Sequence, residues 1–486
     1  MRFKHIIIVL IGLSIIAFSQ AQTRSFKRGL CYNSLMTEDV QALSLGVSWG
    51  YNWGHTRTGN DTAFILYDFE FVPMAWSGID KENIRNLLKI HPEVKYILGF
   101  NEPNFIKQAN LTPTEAAEKW ADIEEIADEY GLIIVGPAVN YSPDPPYQDP
   151  VRWYDDFFAA CKDCRVDHIA VHFYMSSAGA IRSNVEKFKK FGKPIWLTEF
   201  CAWDNNTSPS SQKKFMIETL DYLETDPDIF RYAWFKERSG EGHPYMQLLD
   251  PRNEGVLKEL GEVYVHMSSY DDNFYFTTEQ QIQSEHYIRM NRISMEKTTD
   301  VSGDINICDM NVGYWVDYNV DIPEAGEYNV YFRLSAEYED ESEIYVSVNE
   351  TEITTLHFEK KGIGIWNTQF CKGIFSEGKQ KIRIGFKRGG VRLNWWAISK
   401  KEEAPSSIGI AGVDDTKIFP NPVKDMLNVQ APENTMVTLR DICGKNVYSA
   451  KSPNTIDMSS FIPGMYILDI RYENGERKVE KIIKEE

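Results

Sequence analysis

The sequence predicts a multidomain chain: a (β/α)8 barrel, then a β-sandwich, then a second small β-sandwich. Three observations carry this. Short apolar runs alternate with longer helical patterns up to about residue 264. The period then changes to two, with Gly and Asn turns, over 280–400. Beyond a polar linker, the last stretch returns to short strands separated by Pro and Gly.

The first segment stands apart from the fold. Arg2, Lys4 and His5 precede the apolar run Ile6–Phe18, and Ser19-Gln20-Ala21 ends in small residues, so residues 1–21 read as a signal peptide cleaved after Ala21. The run is shorter than the ~20 apolar residues of a membrane-spanning helix, which predicts an exported, soluble protein. In the next block, 22–270, eight strand-like runs are visible: Lys27–Asn33, Val47–Trp53, Phe69–Trp76, Lys95–Asn101, Leu132–Val139, His168–Tyr174, Pro194–Phe200 and Arg231–Lys236. Helical patterns lie between them at Lys81–Lys89, Thr114–Tyr130, Ile181–Phe191 and Ser210–Leu223, and Thr112-Pro113-Thr114-Glu115 is a helix start signal. Strict alternation implies a parallel sheet, and eight repeats in ~240 residues match a closed TIM barrel. No G-x-G-x-x-G follows the first strand, which argues against an open dinucleotide-binding sheet.

Residues 280–400 carry alternating runs at Tyr314–Val320, Glu327–Leu334, Glu343–Val348 and Lys379–Phe386, the pattern of an antiparallel β-sandwich of jelly-roll type. A linker over 401–411 separates it from the final unit, 412–486, with turns at Pro420-Asn421-Pro422, Asp441–Gly444 and Ile462-Pro463-Gly464.

Composition excludes some functions. With 71 Asp+Glu against 52 Lys+Arg, the net charge of −19 leaves no basic surface for nucleic acid. A neutral polymer is not repelled, and 12 Trp and 25 Tyr offer flat faces suited to sugars. Seven Cys are too few for a disulfide scaffold, and the C-x-x-C at Cys161 and Cys164 lacks two further zinc ligands, so a local loop disulfide is expected.

Barrel chemistry collects at the C-terminal ends of strands. Reading those ends in order yields Asn33, Asn52 with Trp53, Trp76, Asn101 with Glu102, Asn140, His172 with Tyr174, Glu199 and Trp234. Two carboxylates stand out, Glu102 after strand four and Glu199 ending strand seven. Glycoside hydrolysis needs such a pair: one carboxyl protonates the leaving oxygen, and the other attacks or activates water. Glu102 is expected to have a raised pKa beside the Glu199 anion, and Asn101 is placed to bond the 2-hydroxyl as the ring flattens. His168 and His172 are four apart on a strand, about 13 Å, too far to share a metal. His168 then reads as structural, while His172 and Tyr174 sit near the rim to bond sugar or orient Glu199.

The motifs Lys27–Asn33, Tyr51–Trp53, Phe71–Trp76, Leu98–Asn104, Asp167–Tyr174 and Pro194–Phe200 together resemble glycoside hydrolase family 128, a family of endo-β-1,3-glucanases, over about residues 25–265. The resemblance implies retaining hydrolysis of β-glucan without a cofactor, Glu102 as acid/base and Glu199 as nucleophile, with Phe173 a departure where the family often has Trp. The segments Ile282–Tyr287, Gly313–Tyr318, Pro323–Tyr328, Trp366 and Asn394–Trp396 resemble carbohydrate-binding module family 6. That implies sugar contacts from Trp366, Asn394 and Glu296, and a structural calcium held through Gln283 and Glu285. The second aromatic of the family's clamp is absent, with Asp309 in its approximate place, which predicts weak or displaced binding. Ile418–Pro422, Leu439–Lys445, Pro463–Ile467 and Arg477–Lys484 resemble the type IX secretion C-terminal sorting domain. That implies passage through outer-membrane secretion machinery, with removal of the chain beyond about residue 411. The expected protein is a monomeric, secreted or surface-held endo-β-1,3-glucanase. The alternatives are another retaining β-glycosidase on the same barrel, or a non-catalytic glycan-capture protein.

Overall fold

The computed structural model describes residues 22, 24–58, 61–204, 206–239, 244–301, 303–336, 341–359, 361–405, 416–432, 434–441, 445–471 and 477–485. The expected signal peptide and most of the expected linker lie outside the described residues.

The first block builds eight parallel strands: β1 (Arg28–Cys31), β2 (Trp49–Tyr51), β3 (Glu70–Phe71), β4 (Tyr96–Leu98), β5 (Ile133–Val139), β6 (His168–Phe173), β7 (Ile195–Phe200) and β8 (Ile229–Phe235). They form one curled sheet in the order β3-β2-β1-β8-β7-β6-β5-β4. The two edge segments meet just past β3: Leu98 N–H donates to Pro73 O (2.9 Å), Ala75 N–H to Leu98 O (2.9 Å) and Asn101 N–H to Trp76 O (2.8 Å). Phe69–Trp76 is therefore a shorter strand than its apolar run suggests, followed by a bridge at Met74.

Among the described residues eight α-helices follow the strands: α1 (Thr37–Leu43), α2 (Asp61–Leu66), α3 (Lys81–Ile90), α4 (Pro113–Tyr130), α5 (Pro150–Ala160), α6 (Ala178–Val185), α7 (Pro209–Thr225) and α8 (Glu259–His266). Their starts are written locally. At α4 the Thr112 hydroxyl accepts from Glu115 N–H while the Glu115 carboxylate accepts from Thr112 N–H, with Pro113 at the first helical position, where its missing N–H costs nothing. The C-x-x-C forms the Cys161–Cys164 disulfide just past α5.

Inside the curl, Cys31, Trp49, Tyr51, Met74, Leu98, Ala138, Ala170, Trp196 and Ala233 make a buried cluster. Gly29 makes room for it, since a Cβ there would lie 2.2 Å from the Trp49 ring. At the base, the Arg231 guanidinium lies over Trp49, Tyr96 and Trp196, and Trp196 Nε1–H donates to His168 Nδ1 (2.8 Å). Burial lowers the His168 pKa to about 4, as suits a neutral acceptor.

The second block is two antiparallel-rich sheets. One runs Ser294–Lys297, Ile305–Met310, Val391–Ser399, Gly326–Ala336, Gly362–Phe375, with Ile282–Gln283 also on Val391–Ser399. The other runs Arg289–Asn291, Trp315–Ile322, Gly378–Phe386, Glu341–Val348, Thr351–Glu359, with Phe276–Thr277 parallel to Trp315–Ile322. One continuous apolar core reaches from Leu30 in the first block to Ile398 in the second. Within the first block Arg28, fully buried, pairs with Glu224 (2.8 Å) and donates to the carbonyls of Tyr264, Met267 and Ser268, fixing the chain that leads out of α8. The joint to the second block is polar as well. Gln22 Nε2 donates to His286 O (2.9 Å), while its Oε1 accepts from Ser268 Oγ (2.9 Å). The last block has its own core around Val423, Leu427, Leu439, Leu468 and Ile482, with sheets of three and four strands.

Candidate active site

A cleft of about 460 Å3 opens at the C-terminal ends of the parallel strands. Trp53, Trp76, Asn101, Glu102, Phe105, Gln108, Asn140, Tyr174, Glu199, Trp203 and Phe235 line it. Glu199 is the penultimate residue of β7 and is almost fully buried. Its Oε1 accepts from Trp53 Nε1–H (2.8 Å) and Tyr51 O–H (3.2 Å), and its Oε2 accepts from Tyr174 O–H. Glu102 follows β4, and its Oε1 accepts from Asn140 Nδ2 (3.0 Å).

His172 sits between the two carboxylates with no exposed surface. Its Nδ1 lies 3.0 Å from Glu102 Oε1 and 3.3 Å from Glu199 Oε2. Nε2 is buried without a hydrogen-bond partner among the described residues, so a proton exchanged with the carboxylates moves through Nδ1. The ligand atoms of Glu102, His172 and Glu199 all lie within 4.8 Å of one another.

This cluster corrects the expected electrostatics. Burial pushes Glu102 upward, but the hydrogen bond and charge of His172, with the Asn140 amide, outweigh it and hold the carboxyl below the ordinary range. Burial opposes charge on His172, yet Glu199 and Glu102 raise its pKa overall. The Glu199 anion alone would raise Glu102; the imidazole between them reverses the sign.

Two residues of the site hold backbone conformations unusual for side-chain-bearing residues, Trp53 at φ 60° and Glu102 at φ 40°. Each costs of order 1–3 kcal/mol. At Glu102 the backbone is clamped, its N–H donating to Ala138 O (2.7 Å) and its carbonyl accepting from Phe105 N–H (3.0 Å).

Of the expected sugar-contacting residues, Trp53, Trp76, Asn101, Asn140 and Tyr174 face the cleft, and His172 lies beneath it. Three do not line it. Trp234 is fully buried between sheet and helices, its Nε1–H donating to Met246 O (2.7 Å). Ala233 and Phe235 face inward instead, so strand alternation puts Trp234 on the outer face. Asn52 falls out by the same rule, since Tyr51 and Trp53 point inward while the Asn52 amide donates to Thr56 O and Thr58 Oγ1. Asn33 is exposed, and its N–H donates to Glu237 Oε1 (2.7 Å). The residues missed were Tyr51 and Phe235, recoverable from alternation, and Phe105, Gln108 and Trp203, which sit on loops with no periodic signal.

In the sandwich, Trp366 is half-buried and its Nε1–H donates to Thr299 Oγ1 (3.0 Å). Asn394 is buried and donates to Asp300 Oδ2 (2.9 Å), and Asp300 also binds Arg333 through two contacts of 2.7 and 2.8 Å. Glu296 pairs with Arg392. Asp309 lies at the end of Ile305–Met310 remote from this 298–304 turn, since Lys297 pairs with Ile305 and Ser294 with Cys308; it does not stand opposite Trp366. Gln283 Oε1 is buried and unpartnered among the described residues. Glu285 is buried with its pKa well raised, by burial and then by Asp304. Together they would supply two of the six to eight oxygens calcium takes.

Comparison with known proteins agrees with this order of parts. Residues 29–264 match the glycosyl hydrolase catalytic core, 283–400 the carbohydrate binding module (family 6), and 417–485 the secretion system C-terminal sorting domain. The chain is similar to a family 128 subgroup II endo-β-1,3-glucanase from Pseudomonas viridiflava, with 37% identity, 50% of this chain and 98% of that one covered, and a TM-score of 0.47. A subgroup II enzyme from Sorangium cellulosum is 40% identical over 49% of this chain and 97% of its own, with a TM-score of 0.46. Alkali-sensitive linkage protein 1 of Schizosaccharomyces pombe is 29% identical over 255 residues, 50% of this chain and 44% of that protein. The chain thus spans less than half the length of the curated relatives it matches. A buried carboxylate pair at the strand ends, inside the matched core, makes this chain a glycoside hydrolase: it belongs to the glycosyl hydrolase catalytic-core family and carries a family 6 carbohydrate-binding module and a secretion sorting domain behind that core.

Proposed function

We propose that the chain is a secreted, retaining endo-β-1,3-glucanase of glycoside hydrolase family 128, acting from a closed (β/α)8 barrel without a cofactor. The observation that carries the reading is the Glu102–His172–Glu199 cluster. Each of its two carboxylates offers an oxygen within 4.8 Å of the other, which suits the ~5 Å separation of retaining enzymes better than the wider separation of inverting ones.

Glu199, fixed by Tyr51, Trp53 and Tyr174, attacks the anomeric carbon. Glu102 gives its proton to the departing glucosyl oxygen as the C–O bond breaks, leaving a covalent glucosyl-Glu199 ester. Water then attacks that carbon and yields a proton back to Glu102, and Glu199 departs as a carboxylate. Before substrate arrives the cluster's proton rests on His172, so His172 Nδ1 passes it across the 3.0 Å bond to Glu102 Oε1. Trp53, Trp76, Phe105, Trp203 and Phe235 supply apolar faces for sugar rings. The family 6 module holds the enzyme on polysaccharide, and the C-terminal domain directs export across the outer membrane. The similar family 128 enzymes support β-1,3-glucan as the substrate.

The test is chemical. Early proton NMR of wild-type hydrolysis should show the β anomer. Glu199→Ala should be inactive until azide is added, then give the α-glucosyl azide. Glu102→Ala should fail on poor leaving groups and give the β-glucosyl azide from activated ones. Initial release of the α anomer from wild type would overturn the assignment of Glu199.

A further inference from the structure

The segment joining β4 to α4 folds back on itself. Phe105 N–H donates to Glu102 O (3.0 Å), Gln108 N–H to Phe105 O (3.1 Å), Ala109 N–H to Asn101 O (3.2 Å) and Leu111 N–H to Pro103 O (2.9 Å). Ile106 N–H is tied to Asp144 Oδ2 (2.9 Å) on the next strand-end loop. These bonds return Gln108 to Asn101, whose Nδ2 donates to Gln108 Oε1 (3.2 Å). Both side chains line the cleft beside Glu102. Asn101 Oδ1, by contrast, is buried and has no hydrogen-bond partner among the described residues. The amide is thus turned with its nitrogen toward Gln108 and its oxygen away from open space.

A carboxamide can sit either way round in a pocket of its shape, and only its partners decide which. The chemistry next door makes the choice matter. A sugar hydroxyl beside the reacting carbon has one hydrogen, which the Glu199 carboxylate attracts, so its oxygen needs a donor on the other side. An Asn101 amide with one N–H on Gln108 has its second N–H left for that role.

We propose that Gln108 is a positioning residue: by accepting from Asn101 it fixes the amide as a donor toward the hydroxyl on the carbon next to the one attacked. This rests on the reading of the cleft as a retaining β-glucanase site. The interaction strengthens as the ring flattens, so its loss falls on kcat more than on KM.

The experiment compares Gln108→Leu and Gln108→Glu, in the full chain, on two activated aryl β-1,3-glucobiosides that differ only in having or lacking the 2-hydroxyl at the cleaved unit. Leucine cannot accept; glutamate can only accept. Gln108→Leu should lower kcat/KM on the hydroxyl-bearing substrate by about 10- to 100-fold, and leave the 2-deoxy substrate within about twofold. Gln108→Glu should recover most of the loss, and Asn101→Ala with Gln108→Leu should be no slower than Asn101→Ala alone. Equal losses on both substrates, no loss on either, failure of Gln108→Glu to recover, or additive losses in the double variant would each overturn the proposal. If wild type ignores β-1,3-glucosides but cleaves another β-glycoside, the functional reading fails, while the same pair of substrates in that linkage still judges Gln108.

Discussion

Replacing His172 by Asn tests the central cluster, because it removes an ionisable group while keeping an amide able to donate to Glu102. At 3.0 Å from Glu102 and 3.3 Å from Glu199, an imidazolium gains about 5 kcal/mol from each carboxylate at an effective dielectric of 20. Burying the ion costs several kcal/mol, so a favourable balance remains, and the His172 pKa stands above the ordinary imidazole value. The alkaline limb of kcat/KM in wild type therefore reports loss of the cluster's single proton above pH 6.5. In the variant that proton has only Glu102 to occupy. Freed of the neighbouring cation, Glu102 rises from its depressed position, but as a carboxyl it still releases its proton before the imidazole would. The alkaline limb should move to lower pH, with a loss of about 10- to 100-fold at neutral pH and above, since each unit below the assay pH costs tenfold. Near pH 5 the loss should be much smaller. The assay is kcat/KM against pH on a short β-1,3-gluco-oligosaccharide, with melting curves to confirm folding. A uniform loss at every pH, with both limbs unmoved, would show that His172 only shapes the site.

Two further outcomes concern the rest of the chain. Arg28→Met leaves Glu224 as an unpaired buried charge and frees three carbonyls, so stability should fall by about 3–5 kcal/mol in urea titration; a fall below about 1 kcal/mol would mean that solvent reaches the Arg28–Glu224 pair. Trp366→Ala should weaken retention on insoluble β-glucan by roughly 1–3 kcal/mol if the ring stacks on sugar, while hydrolysis of short oligosaccharides stays unchanged. Retention equal to wild type on every polysaccharide tried would reduce the sandwich to a support for α7 and α8.

Much of this was legible because it depends on neighbours in sequence. The eight strands and long helices announce themselves through period two and period 3.6, and Thr112 and Glu115 cap α4 through contacts three residues apart. Glu102 and Glu199 could be picked out because barrel geometry sends strand ends to one rim, whatever the loops do. Loop-borne Phe105, Gln108 and Trp203 had no such signal. Trp234 and Asn52 were misplaced by one step of alternation, which a short run of mixed aromatics does not phase.

The sequence by itself determined the order of the parts, the strand and helix pattern and the two carboxylates, since local periodicity and a shared rim are enough for these. Only the tertiary structure decided that His172 stands between Glu102 and Glu199, that Gln108 turns the Asn101 amide, and that Gln22 ties the first block to the sandwich through Ser268 and His286. Each of these joins residues brought together by chain packing rather than by spacing. The sign of a buried charge's pKa depends on which neighbour lies within a few ångströms, and that distance is set by the packed fold.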